Sequence, residues 1–104
     1  MMPGDRAVVE GRLYQGTDEI ISYSLTTTPW GSAPAGVAVK GYSVVGSTYT
    51  DVSATIISGA PVVVGDVISF VVKSLTLNGE YRVEVKFTAG GSTFEPYVEI
   101  EAER

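Results

Sequence analysis

Polar and apolar residues alternate along most of this chain, and nowhere do apolar residues recur at the three-to-four-residue spacing of a helix. A period of two places successive side chains on opposite faces of a strand, so the chain has to be assembled from β-structure. Val, Ile, Thr, Tyr and Phe fill the runs between Gly and Pro breaks, which is the composition that suits a pleated, half-buried surface. Seven strands are expected: Ala7 to Gln15, Glu19 to Thr28, Gly36 to Val44, Thr50 to Ser58, Asp66 to Ser74, Glu80 to Ala89 and Ser92 to Glu103. Their separators are Gly16-Thr17, Pro29 to Pro34, Gly46-Ser47, Gly59-Ala60-Pro61, Asn78-Gly79 and Gly90-Gly91, residues that supply positive or fixed φ at turns. Close-spaced short strands of this kind point to an antiparallel sandwich.

The run Phe87-Thr88-Ala89-Gly90-Gly91-Ser92-Thr93-Phe94 fixes a register. Gly-Gly between two alternating runs suits the primed two-residue hairpin turn. Pairing Ala89 with Ser92 then sets Phe87 against Phe94, Val85 against Pro96, Val83 against Val98 and Tyr81 against Ile100 on one apolar face. The opposite face pairs Lys86 with Glu95 and Arg82 with Glu99, so both faces agree on the same count. Pro96 has no N–H for a ladder and should stand at an edge or a bulge. Upstream, the Leu-rich segment Leu75-Thr76-Leu77-Asn78-Gly79 leads into Tyr81 at the start of an alternating strand. This resembles the tyrosine corner of immunoglobulin-like and fibronectin type III sandwiches, and the resemblance implies that the Tyr81 hydroxyl bonds back to nearby backbone. The Cys pair and strand-C Trp of antibody domains are missing.

With 104 residues the chain is expected to form one domain over 6–104, preceded by a flexible 1–5, with enough buried surface to fold without metal or disulfide. It holds no Cys and no His, which removes thiol chemistry, imidazole bases and most zinc, copper and haem ligation. No cofactor is expected. The net charge of −5 and the scattering of Arg6, Arg12, Lys40, Lys73, Arg82, Lys86 and Arg104 argue against a nucleic-acid partner. No apolar stretch approaches the roughly 18 residues that span a bilayer, so no membrane partner is expected, and none of the basic and apolar character of an export signal is found in residues 1–5, so none is expected there. Absence of Cys suits a reducing compartment.

The remaining chemistry is thin. Asp18 and Glu19 are adjacent acids, but neighbours on a strand face opposite ways and cannot converge on one substrate. Glu95, Glu99, Glu101 and Glu103 share a face at period two, yet lie about 6–7 Å apart along a strand, too far apart to surround one cation. Gly90-Gly91-Ser92-Thr93 leads into a strand rather than a helix and so is a turn, not a phosphate cradle. Ser and Thr have no base to activate them. No catalytic or metal-ligating residue is expected.

The least strand-like segment, Thr26 to Gly36, contains the sole Trp. Pro29, Trp30 and Gly31 are therefore candidate partner contacts, since aromatic anchors are enriched at interface centres and sugar sites. The commoner arrangement has such a ring folding over one end of the sandwich. Tyr14, Tyr23, Tyr42, Tyr49 and Tyr97 are sheet residues by alternation, and none stands out as a surface platform.

The succession Asp18-Glu19-Ile20-Ile21-Ser22-Tyr23-Ser24-Leu25, Trp30-Gly31, Gly36-Val37-Ala38-Val39-Lys40, Gly65-Asp66-Val67-Ile68, Tyr81 to Phe87, and Gly90-Gly91-Ser92-Thr93-Phe94-Glu95 resembles the small fiber-tail adaptor proteins of tailed bacteriophages. The likeness covers most of the chain. It implies an immunoglobulin-like fold and a non-catalytic virion or prophage component, assembled in the bacterial host cytoplasm. The partners it implies are other virion proteins, tail or head-tail connector subunits, with a homo-oligomer in the assembled particle. The role allotted to Tyr81, Phe87, Phe94, Gly90 and Gly91 is structural. The first strand, from Arg6 to Gln15, is expected to pair within its own sheet or with a neighbour's. The alternative reading is a carbohydrate-binding or adhesive module that uses Trp30 and surface tyrosines.

Overall fold

In the computed structural model, which describes residues 13–103, the chain is an all-β, immunoglobulin-like sandwich of two sheets. The expectations for 1–5 and for the part of the first strand before Leu13 lie outside the described residues. Among the described residues nine strands run in chain order: β1 Leu13–Gly16, β2 Ile21–Thr26, β3 Ala35–Val45, β4 Thr48–Asp51, β5 Val62–Val64, β6 Val67–Val72, β7 Glu80–Ala89, β8 Ser92–Phe94 and β9 Tyr97–Glu103. A single helical turn, α1 Ser53–Ile56, lies between β4 and β5. The larger sheet has the order β1-β9-β7-β3-β4, with β8 also on β7, and the smaller has the order β2-β6-β5.

β7 is the central strand of the larger sheet, and its alternation is strict. Tyr81, Val83, Val85, Phe87 and Ala89 are buried, and the residues between them face outward. The hairpin register agrees with the sequence count: Ala89 stands opposite Ser92, Phe87 opposite Phe94, Val83 opposite Val98, Arg82 opposite Glu99 and Tyr81 opposite Ile100. Gly90 and Gly91 both have positive φ, at 58° and 83°, as a type I′ turn requires. The expected single strand Ser92 to Glu103 is broken at Glu95-Pro96. The missing N–H of Pro96 interrupts the ladder, while its carbonyl still accepts from Val85 N at 2.9 Å.

Two further expectations are corrected. Thr50 to Ser58 is not one strand but the end of β4 followed by α1. Ser53 causes the change of direction, because its N–H donates to Asp51 Oδ1 at 2.9 Å and its hydroxyl accepts from Gly41 N at 2.9 Å. The turn drives Ile56 into the core at 1% exposure, over the bare backbone of Gly41. The second correction is β5, three residues caught between Pro61 and Gly65, in a stretch expected to be a connection.

The core is closed at both ends of β7. Trp30 and Phe94 flank Phe87, and at the other end the Tyr81 hydroxyl accepts from Thr76 N at 2.9 Å. Tyr81→Phe should therefore lower unfolding stability by about 0.5–1.5 kcal/mol in urea titration, the usual net worth of such a bond. A change under 0.3 kcal/mol would make the contact incidental.

Among the described residues two polar side chains, Gln15 and Thr27, lie fully inside. Gln15 of β1 donates through Nε2 to Val72 O at 2.8 Å and Glu19 O at 3.0 Å, and its Oε1 accepts from the Tyr23 hydroxyl at 2.8 Å. It thereby ties the larger sheet to the smaller, with both amide protons and the amide oxygen directed to partners on β2, β6 or the β1–β2 turn. Burial, and then the Glu19 carboxylate, push the Tyr23 phenol above its ordinary pKa, so it remains a donor.

Candidate docking face

The outer face of the larger sheet gathers residues that lie far apart in sequence. Arg82 stands in the middle of it with 18% of its side chain exposed, its guanidinium carbon 3.7 Å from the ring centroid of Tyr97 and 5.6 Å from that of Tyr49. Its Nε lies 2.9 Å from Glu84 Oε2. Register explains the cluster: Glu84 is opposite Tyr97 across β7 and β9, which sets Tyr97 diagonal to Arg82, and Tyr42 is opposite Arg82 across β3 and β7. A cation over an aromatic face with a carboxylate at its edge is held in one orientation.

Beside it lies a depression of about 120 Å³ lined by Ala38, Lys40, Tyr42, Glu84, Lys86 and Glu95. The small side chain of Ala38, opposite Lys86 across the strands, makes the floor, and the longer residues make the rim. Glu95 thus lies with Lys86, as the hairpin count implies, and because the same count holds on both sides of Pro96 it shares the outer face with Glu99, Glu101 and Glu103. Farther out, hydrogen bonds from Ser53, its N–H first and then its hydroxyl, hold the Asp51 carboxyl below the usual range, and Lys40 adds to the effect. Exposed Tyr14 and Tyr49 extend the aromatic surface to both edges of the sheet. Among the described residues no three Asp or Glu side chains converge as a metal site would need, and no helix is long and apolar enough to cross a membrane.

The Trp30 loop is built differently. Thr27 O accepts from both Trp30 N and Gly31 N at 2.8 Å, and the Thr27 hydroxyl donates to Gly31 O at 2.9 Å. Asp66 accepts from the Thr28 hydroxyl and from Ala33 N, lashing the loop to the start of β6. Trp30 is half-buried and meets Phe87 edge-on, with centroids 6.1 Å apart at 74°. Gly31 backs so closely onto Ala89 that a Cβ would sit 2.9 Å from the alanine methyl. Of the three candidate contacts only Pro29 is exposed, so this trio does not form one free surface. Tyr23 also points inward and stacks on Phe70 at 5.8 Å.

The Arg82 cluster is the feature that residue-by-residue reading passes over. Its signal was in the hairpin register, which already sets Tyr97 next to Arg82 on the solvent face. No protein-family model matches this chain, and no curated protein matches it in sequence.

Proposed function

We propose that this chain is a non-catalytic structural protein of a bacteriophage or prophage virion, joining tail, neck or fiber components through the outer face of its larger sheet. The observation that carries the docking role is Arg82 fixed between Tyr97 and Tyr49 beside the Ala38 depression. Tyr and Arg are, with Trp, the residues enriched among interface hot spots, and an anchor held rigid before contact loses less entropy on binding. The absence of His and Cys from the sequence favours recognition over turnover. The resemblance of the strand and turn order to fiber-tail adaptors supports the choice of a virion.

Co-expression with the products of its neighbouring genes, followed by sedimentation velocity, tests this reading. A complex of defined stoichiometry is expected, weakened about tenfold or more by Arg82→Ala, as for a hot-spot residue. No complex, or one indifferent to Arg82, would overturn the assignment of the face. The second reading, a carbohydrate-binding or adhesive module, draws on exposed Tyr14 and Tyr49. Glycan-array binding abolished by Tyr49→Ala would replace the virion role.

A further inference from the structure

The two outer faces of the sandwich differ in kind. β7 carries four charged residues and β9 three, whereas β2, β5 and β6 carry none. On the smaller sheet Val62 and Val64 of β5 stand opposite Ser69 and Val67 of β6, and Ser24 and Ser69 hydrogen-bond across the strands at 3.2 Å. Val67 and Val71 are half-exposed beside them, so a valine patch runs out to the edge of this sheet. That edge is open: Val62, Val63 and Val64 are 58%, 41% and 71% exposed, and among the described residues β5 pairs with β6 alone.

An apolar edge strand without Lys or an inward charge is a template for another strand, and proteins normally blunt such edges. We propose that β5 is a self-recognition edge, joining antiparallel to β5 of a second copy across a two-fold axis centred on Val63 and merging two three-stranded sheets into one of six. Charge decides the occupant. Two chains of net charge −5 repel, and they approach at least cost where neither presents charge. A two-fold contact also requires a surface complementary to itself, which a neutral run of three valines satisfies. In this register Val62 lies opposite Val64 of the second copy, Pro61 opposite Gly65, and Asp66 opposite Ala60, so no acid faces an acid. Asp66 is already held by Thr28 and Ala33. Of the other edge strands, β4 ends in the ionised Asp51 and belongs to the charged sheet, as does β1, while β2 exposes Ser22, Ser24 and Thr26 rather than a run of valines.

Positive φ at Gly59 and Gly65 turns the chain away on both sides of β5, which limits the new ladder to a few residues. The dimer is therefore weak in free solution and gains occupancy where copies are concentrated, as in a ring or sheath. Sedimentation equilibrium up to about 1 mM, the weak end of the ordinary affinity scale, tests it. A reversible dimer is expected, and it should tighten several-fold between 0.05 and 0.5 M salt, where the screening length falls to about 3–5 Å.

The double variant Val62→Lys with Val64→Lys should weaken it about tenfold or more, although the change brings the net charge closer to zero. Ser22→Lys with Ser24→Lys, the same charge change on the same sheet away from β5, should leave it intact. If the first variant melts far below the wild type, Val62→Thr with Val64→Thr keeps the β-branched shape and should weaken association several-fold. A chain that stays monomeric throughout, as it would if β5 receives a foreign strand, overturns the proposal. So does equal loss in the two lysine variants. Arg82→Ala should not alter the dimer, so this test stands apart from that of the docking face.

Discussion

Replacing Phe87 with Ala should cost about 3–5 kcal/mol of unfolding stability, the range for emptying a buried aromatic site. Phe87 is fully buried on the central strand, with Trp30 edge-on at 6.1 Å and Phe94 tilted against it at 5.6 Å. Removing the ring leaves both neighbours facing a void that the rigid hairpin and the lashed Trp30 loop are poorly placed to fill. For a domain whose whole stability is about 5–15 kcal/mol, this approaches the limit of folding. The melting temperature should fall by roughly 15–30 °C. Phe87→Leu, which keeps most of the volume, should cost about 1–1.5 kcal/mol. Urea and thermal denaturation measure both, and an alanine variant within 1 kcal/mol of the parent would mean that the three rings do not pack as described.

Ile56→Ala should be nearly as damaging, at about 2–5 kcal/mol, and its effect should depend on residue 41. A Cβ added at Gly41 would lie 2.5 Å from Ile56 Cδ1 and 2.7 Å from its Cγ1. Gly41→Ala alone therefore forces the isoleucine to move, at about 1–3 kcal/mol. In the double variant the new methyl enters space vacated by the old side chain. Its loss should fall short of the sum of the single losses by about 1–2 kcal/mol, a coupling that residues out of contact do not show. Strict additivity would mean that α1 does not seat Ile56 on β3.

The sequence made the larger sheet legible because its central hairpin carries the same register twice, once in the apolar pairs around Phe87 and Phe94 and once in the charged pair Arg82 and Glu99. Period-two alternation needs about four residues to declare itself, so β5, with three valines, offered nothing to count. α1 was illegible for the opposite reason. Val52 to Ile57 is rich in β-branched residues, and the local bond from Ser53 N–H to Asp51 turns it helical together with the tertiary bond from Gly41 N–H to the Ser53 hydroxyl. Trp30 could be placed in a loop but not oriented, since its packing depends on Phe87, far along the chain. The docking face shows the same limit: Tyr49, Arg82 and Tyr97 are neighbours only once β3, β4, β7 and β9 are side by side. Gln15 reads in the sequence as an ordinary polar strand residue, and nothing local marks it as the inward link between the sheets.

The pairing of β1 with β9 is parallel, Leu13 beside Ile100 and Gly16 beside Glu103. Tension applied at the front of β1 and the back of β9 therefore runs along the two strands in opposite senses and tries to slide them past each other. Every rung of that ladder bears load at once, where an antiparallel pair pulled from one end would unzip rung by rung. The Gln15 amide, anchored in the opposite sheet, sits in the sliding strand and must be torn out with it. A body pulled in this direction resists as a unit up to a single sharp yield point.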